Sequence, residues 1–246
     1  ISPTIHEQIL FYGILCHSIA RQFGLEEKRA TVLTAAALTA NLALVPVADQ
    51  LNASNTVLTD DQRAVIRKHP ARSIQALTSA GINNKLLLRI IAQHHEQADG
   101  SGYPEGLSGS DILPEAEILA LAERYVAMIT KRAYRNRMNI TEARKLIATL
   151  ADGKFRPAIP RSLLQILGDH PPGMLVRLVN NEVGVVTRRA DRTRGPFVKA
   201  IFGPRGNRYS GTFERDTSLL EYNIRAPEEP EIMPTMDFSM LWGFRS

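Results

Sequence analysis

The chain has 246 residues, 44% hydrophobic and 22% charged, with a formal net charge of +5 and a single cysteine, Cys16. That composition makes no case for overall disorder and excludes any intrachain disulfide, and it fits a reducing, cytoplasmic setting. The apolar runs are short and interrupted, so no membrane span is expected; the basic balance suits an anionic partner, but with no recognition motif beside it nucleic acid is not expected. No signal peptide opens the chain, and a start at Ile1 reads as a piece of a longer protein.

Apolar spacing predicts a first helix over 4–23, with Gly24 as its C-cap. A second helix, rich in Ala and Leu, is expected over 26–44. Its run 31–44 is almost free of charge and reads as buried on all sides, with Pro46 as its stop. Thr59 caps a third helix whose first turn carries Asp60 and Asp61 and which reaches about residue 67; a separate helix follows over 71–80. Helices over 85–96, 115–130, 141–150 and 162–167 complete this part, with a glycine-rich loop over 99–109.

From Pro171 the pattern turns to period two. Strands are expected over 175–179, 183–186 and 196–201, with Asn180 and Asn181 at a hairpin turn between the first two. Residues 226–234, rich in Pro and Glu, read as a linker or tail. The apolar end, 238–244, holds Trp242 and reads either as a docking segment or as a disordered end. The organisation is therefore a mostly α chain: a helical domain over 1–168, a small antiparallel β extension over 169–225 and a tail over 226–246.

The most informative segment is His94-His95-Glu96-Gln97-Ala98-Asp99-Gly100-Ser101-Gly102-Tyr103-Pro104. Imidazole is the commonest side-chain ligand for first-row metals, and Gly100 and Gly102 permit backbone angles other residues resist. The string resembles the signature of the HD-GYP family, HHExxDGxGYP, at every fixed position. The resemblance continues upstream at Arg67-Lys68-His69-Pro70 and downstream through Ile118–Tyr125 and Arg132-Ala133-Tyr134-Arg135, covering roughly residues 8–168. Residues 171–186 also resemble a β extension found after such domains. The fold implied is an HD-domain-like helical bundle, and the activity implied is metal-dependent hydrolysis of cyclic di-GMP with two or three ions.

The pattern fails at the HD pair. The segment Leu38-Thr39-Ala40-Asn41-Leu42-Ala43-Leu44 puts Ala40 at the histidine, Asn41 at the bridging aspartate and Leu44 at a lysine used near the reacting phosphate. Glu123 replaces a later aspartate ligand, Val126 a second aspartate, and Gln8 the first ligand, with His6 nearby. Alanine has no lone pair, and an amide oxygen is a poor ligand for a dication.

The resemblance leaves His69, His94, His95 and Glu123 as a residual site for a single transition metal such as Fe, Mn or Zn, if any cofactor at all. Tyr103, Arg132 and Arg135 are the positions it implies for the nucleotide. Asp99, Gly100, Gly102, Tyr103 and Pro104 form the motif loop.

Two functions follow from these residues. One is a non-catalytic signalling domain that senses cyclic di-GMP or contacts other signalling proteins, such as GGDEF-type cyclases, through the loop. The other is a phosphohydrolase with a reduced metal site. A bland alternative is that His94, His95 and Asp99 merely cap a helix and brace the loop. Pairing into a homodimer also fits domains of this kind. A third reading gives the arginines at 177, 188, 189, 192, 194, 205, 208 and 215 a role in binding RNA or nucleotide, against a merely solvated surface.

Overall fold

A computed structural model of the chain describes residues 4–48, 51, 59–130, 138–150, 153–190, 194–228 and 238–242. It divides into two compact units, Ile1–Ile166 and Leu167–Ser246, the first helical and the second built on a sheet. The architecture is the mostly α bundle with a small antiparallel β extension that the sequence predicts.

The described helices of the first unit are α1 (Ile5–Phe23), α2 (Glu27–Thr39), α3 (Asp60–Ser79), α4 (Lys85–Gln93), α5 (Pro114–Ile129), α6 (Ile140–Thr149) and α7 (Ala158–Leu167). The ends follow local chemistry. Thr4, Thr59 and Asn139 each form a capping box with Glu7, Gln62 and Glu142 respectively. Gly24 closes α1 at φ 89°, a left-handed angle that glycine adopts without steric cost. The centre of the bundle is α5, which packs on α1, α2, α4 and α6 and fully buries Ile118, Leu119, Leu121 and Ala122.

Two helix expectations need correction. The helix predicted over 26–44 stops at Thr39 and continues as a 3-10 turn, Leu42–Val47, with Pro46 inside it. Nor is its run 31–44 buried on all sides, since Leu38 and Leu42 are exposed. Low charge marks a helix as apolar without saying that every face finds a neighbour. The stretch Glu27–Val47 is in fact long and apolar enough to cross a membrane by length and composition, contrary to the reading of interrupted runs. Here it is broken near Asn41 and packs on α1, α4 and α5.

The second correction concerns Pro70, where two helices were expected and one, α3, runs straight through. A proline in a helix removes the bond from its nitrogen to the carbonyl four residues back. That carbonyl belongs to Ile66, and the His69 side chain takes it instead, at 2.6 Å. The missing backbone bond is thereby replaced, and a histidine is oriented.

The second unit is a five-stranded antiparallel sheet in the order β4-β3-β2-β1-β5. Its strands are β1 (Leu175–Leu178), β2 (Val183–Arg188), β3 (Phe197–Phe202), β4 (Arg208–Asp216) and β5 (Ile224–Pro227). Asn181 supplies the left-handed turn of the β1–β2 hairpin at φ 69°. β5 overlaps the start of the expected tail at 226, because Ala226 and Pro227 pair with β1 and Glu228 ion-pairs with Arg177. A last short helix, α8 (Phe238–Trp242), places Leu241 in a core with Leu175, Val183, Val185 and Ile201.

One buried carboxylate ties this unit together. Glu182 is 3% exposed and accepts two bonds from Arg215 at 2.8 and 2.9 Å, with further bonds from Tyr209 and Asn180. The Arg215 bonds hold its carboxyl down at about 2. A carboxylate with a depressed folded pKa contributes stability at pH above its ordinary value near 4.5, and this is lost as pH falls through about 2. The second unit is therefore expected to lose up to about 3 kcal/mol over that window. Emission from Trp242, the only tryptophan, reads the loss. Glu182→Gln should start less stable and show little further loss over the same window; a wild-type profile flat between pH 5 and 2 would contradict this.

Candidate metal centre

Two helices deliver three imidazoles to one point. His69 comes from α3, His94 is the C-cap of α4, and His95 follows it out of the helix. Their ligand nitrogens all lie within 4.8 Å of one another.

The tautomers are fixed by carbonyls that the helices leave unclaimed. Nδ1–H of His69 donates to the Ile66 oxygen, released by Pro70, and Nδ1–H of His94 donates to the Ile91 oxygen at 2.7 Å in the last turn of α4. A carbonyl only accepts, so each Nδ1 must carry the proton, and in the neutral ring Nε2 carries the lone pair. The two Nε2 atoms face each other at 3.2 Å.

Burial lowers both pKa values to about 4, so both rings are neutral at pH 7. Burial lowers His95 well below its ordinary value too. Two lone pairs so placed repel unless a cation lies between them. Two nitrogens bound to one ion at about 2.0–2.1 Å sit about 3.3 Å apart in a tetrahedron. The three histidines thus fit one divalent ion.

The carboxylate expected beside them behaves differently. Glu123, on α5, lines the same cavity and accepts a hydrogen bond from the Asn41 amide at 2.5 Å. Burial raises its pKa, opposed by that bond and by the nearby His69. Asn41 thus engages Glu123 as a donor, where a bridging ligand would present an acceptor to metal. Ala40 is fully buried at the end of α2, and Leu44 lines the cavity with a side chain that offers neither charge nor hydrogen bond. Val126 is buried in the core, Gln8 lines the cavity, and His6 is exposed and lies outside its wall.

The cavity has a volume of about 420 Å³. Tyr103 stacks on His95 with ring centres 4.8 Å apart, and the Arg67 guanidinium lies 5.0 Å from the Tyr103 ring centre. Arg124 brings a cation to the cavity wall, and Gln97 brings a buried amide oxygen with no partner among the described residues. Arg132 and Arg135 lie outside the described residues.

The motif loop is held from below. Glu96 is 2% exposed, and its carboxylate accepts from the backbone N–H of Glu105 at 2.7 Å and of Leu107 at 3.0 Å. Asp99 stays outside the cluster, exposed, and takes the N–H and hydroxyl of Ser101. Gly100 turns the chain at φ 77°. Gly102 passes so close to Glu96 that a Cβ there would lie 2.4 Å from the Glu96 Cα.

Reasoning from sequence missed three contributors. Glu96 was part of the motif string without a role, and its burial is what gives it one. Arg67 stands two residues before His69 in the histidine-proline string, which gives it no role of its own. Arg124 sits next to Glu123, on the cavity side of α5. Of the arginines considered for a basic face, Arg177, Arg188 and Arg215 are ion-paired, and Arg192 lies outside the described residues.

The chain is similar to known proteins. The HD domain family matches residues 7–159. A cyclic di-GMP phosphodiesterase of Pseudomonas aeruginosa is 30% identical over 189 residues, covering 76% of this chain and 45% of that protein. Another, from Borreliella burgdorferi, is 24% identical over 71% of this chain and 46% of its own length. The chain spans about half the length of these curated relatives. Among solved structures, an HDG"Y"P protein from Bdellovibrio bacteriovorus superposes with a TM-score of 0.55 at 25% identity, covering 67% of this chain and 52% of that one.

Proposed function

Because this chain belongs to the HD domain family, we propose that it is a non-catalytic HD-GYP-like signalling domain that binds cyclic di-GMP in the cavity beside a single-metal, three-histidine centre. The observation that carries the reading is the bond from Asn41 to Glu123. It puts a neutral donor where the family pattern has a bridging aspartate, and it engages the carboxylate that would join the histidines. A transition metal such as Fe, Mn or Zn, held by His69, His94 and His95, would supply Lewis acidity toward a phosphate oxygen. With Ala40 and Leu44 beside it, the site lacks the second ligand set and the lysine that hydrolysis by several ions uses in the family.

Nucleotide recognition falls to the residues that remain. Tyr103 offers an aromatic face, and Arg124 with Arg132 and Arg135 offers cations for phosphate. The exposed turn at Pro104 and Glu105 offers a surface to other signalling proteins, GGDEF-type cyclases among them, in a cytoplasmic setting.

The test is restoration. The triple variant Ala40→His, Asn41→Asp, Leu44→Lys is expected to raise the metal content above one ion per chain and to bring hydrolysis of cyclic di-GMP above the wild-type background. Wild-type turnover equal to that of the restored chain would refute the proposal. The second reading, a reduced single-metal phosphohydrolase, is favoured by the converging histidines alone. It requires turnover by the wild type that disappears in the His94→Ala, His95→Ala double variant.

A further inference from the structure

We propose that the exposed apolar face of α1 and α2 is an interface between two copies of this chain, related by a twofold axis near Ile14. On α1, Leu10, Phe11 and Ile14 are 59%, 50% and 65% exposed. Their spacing, with Glu7 before them and Ser18 and Arg21 after them, forms one stripe along the helix. Gln8 and Tyr12 lie on the opposite face, toward the cavity.

The stripe is continuous with α2. Gly13 lets Leu38 approach so closely that a Cβ on it would come within 3.0 Å of the Leu38 Cδ2. Leu38 and Leu42 are each 38% exposed. Only a third of the apolar stretch Glu27–Val47 is buried. The five side chains present on the order of 500 Å² of apolar surface, near the largest patch a monomer usually carries. With a polar rim this approaches the roughly 800 Å² per partner of a standard interface.

The charges select the occupant. Glu7 and Arg21 stand at opposite ends of the stripe, about 21 Å apart along the axis. Antiparallel packing of α1 on its copy, centred on Ile14, sets each Glu7 against the other copy's Arg21. It also sets Leu10 against the small Ser18. Such a surface is self-complementary, as a twofold interface must be. An anionic membrane would meet Glu7 at one end of the stripe with the wrong sign. The inference is independent of the metal centre and of nucleotide binding.

Sedimentation of the 246-residue chain at micromolar concentration is expected to show a dimer. Ile14→Glu should be monomeric while keeping its helical circular dichroism and its metal content. Arg21→Glu and Glu7→Arg should each raise the dissociation constant by about tenfold. An equimolar mixture of the two should pair again, because both contacts are then of opposite sign. A monomeric wild type, a dimeric Ile14→Glu, or an Arg21→Glu dimer as tight as wild type would overturn the proposal. So would a wild type that is monomeric in solution but floats with phosphatidylglycerol vesicles, which would assign the face to a membrane.

Discussion

Replacing His94 with alanine is expected to lower the affinity of the chain for a divalent ion by more than about 100-fold, the upper range for loss of an outer-shell partner. The reason is local. His94 contributes one of the two lone pairs that face each other at 3.2 Å, and its tautomer is held by the Ile91 carbonyl. His69 and His95 alone leave too few ligands for a closed site. Elemental mass spectrometry of the purified variant reads the loss directly. Thermal melting gives a second readout: a chelator should lower the wild-type midpoint, because a ligand bound only to the folded state stabilises it by about 2.7 kcal/mol at 100 times its Kd. The His94→Ala midpoint should not respond. Asp99→Ala is the matched control, since the Asp99 carboxylate takes the N–H and hydroxyl of Ser101 and stands apart from the histidines. Wild-type metal content in His94→Ala would mean that the cluster is not the site.

The second large effect lies in the loop. Gly102→Ala would place a Cβ 2.4 Å from both the Glu96 Cα and the Gln97 nitrogen. Those are backbone atoms at the exit of α4 and cannot move without dragging His95 with them. Overpacking of this kind costs about 1–3 kcal/mol in a core that can relax, and a backbone obstacle leaves less room to do so. The loop is expected to lift off Glu96, unpairing the N–H groups of Glu105 and Leu107 and separating Tyr103 from His95. The variant should be cut faster by protease within 99–109 and should lose nucleotide binding. Ser101→Ala, one residue earlier and exposed, should change neither. A Gly102→Ala chain with wild-type protease resistance would contradict the packing described.

Much of this was legible in the residues. The cluster histidines, the glycine turn and the departure at Ala40, Asn41 and Leu44 all follow from local strings that the family pattern makes readable. Periodicity placed most of the helices and the switch to strands at Pro171. What the sequence hid was long-range or compensated. Pro70 signals a helix break, and only the structure shows that the His69 imidazole replaces the missing donor to Ile66. The pairing of Asn41 with Glu123 spans 82 residues, and no spacing rule reaches that far. The role of Glu96 depends on burial beneath a loop. β5 carries a proline and begins beside the Glu-rich tail, so its composition argues against a strand. It forms because it is an edge strand, where Pro227 need not donate to a further neighbour.

The most direct test of the account is to incubate the wild-type chain, loaded with Mn²⁺ or Fe²⁺, with cyclic di-GMP, and to measure binding and the fate of the nucleotide in the same sample. Saturable binding with the cyclic nucleotide recovered intact, and one metal ion per chain, is the predicted result. Conversion to a linear dinucleotide or to GMP, abolished by His94→Ala with His95→Ala, would contradict it and make the chain a working phosphodiesterase.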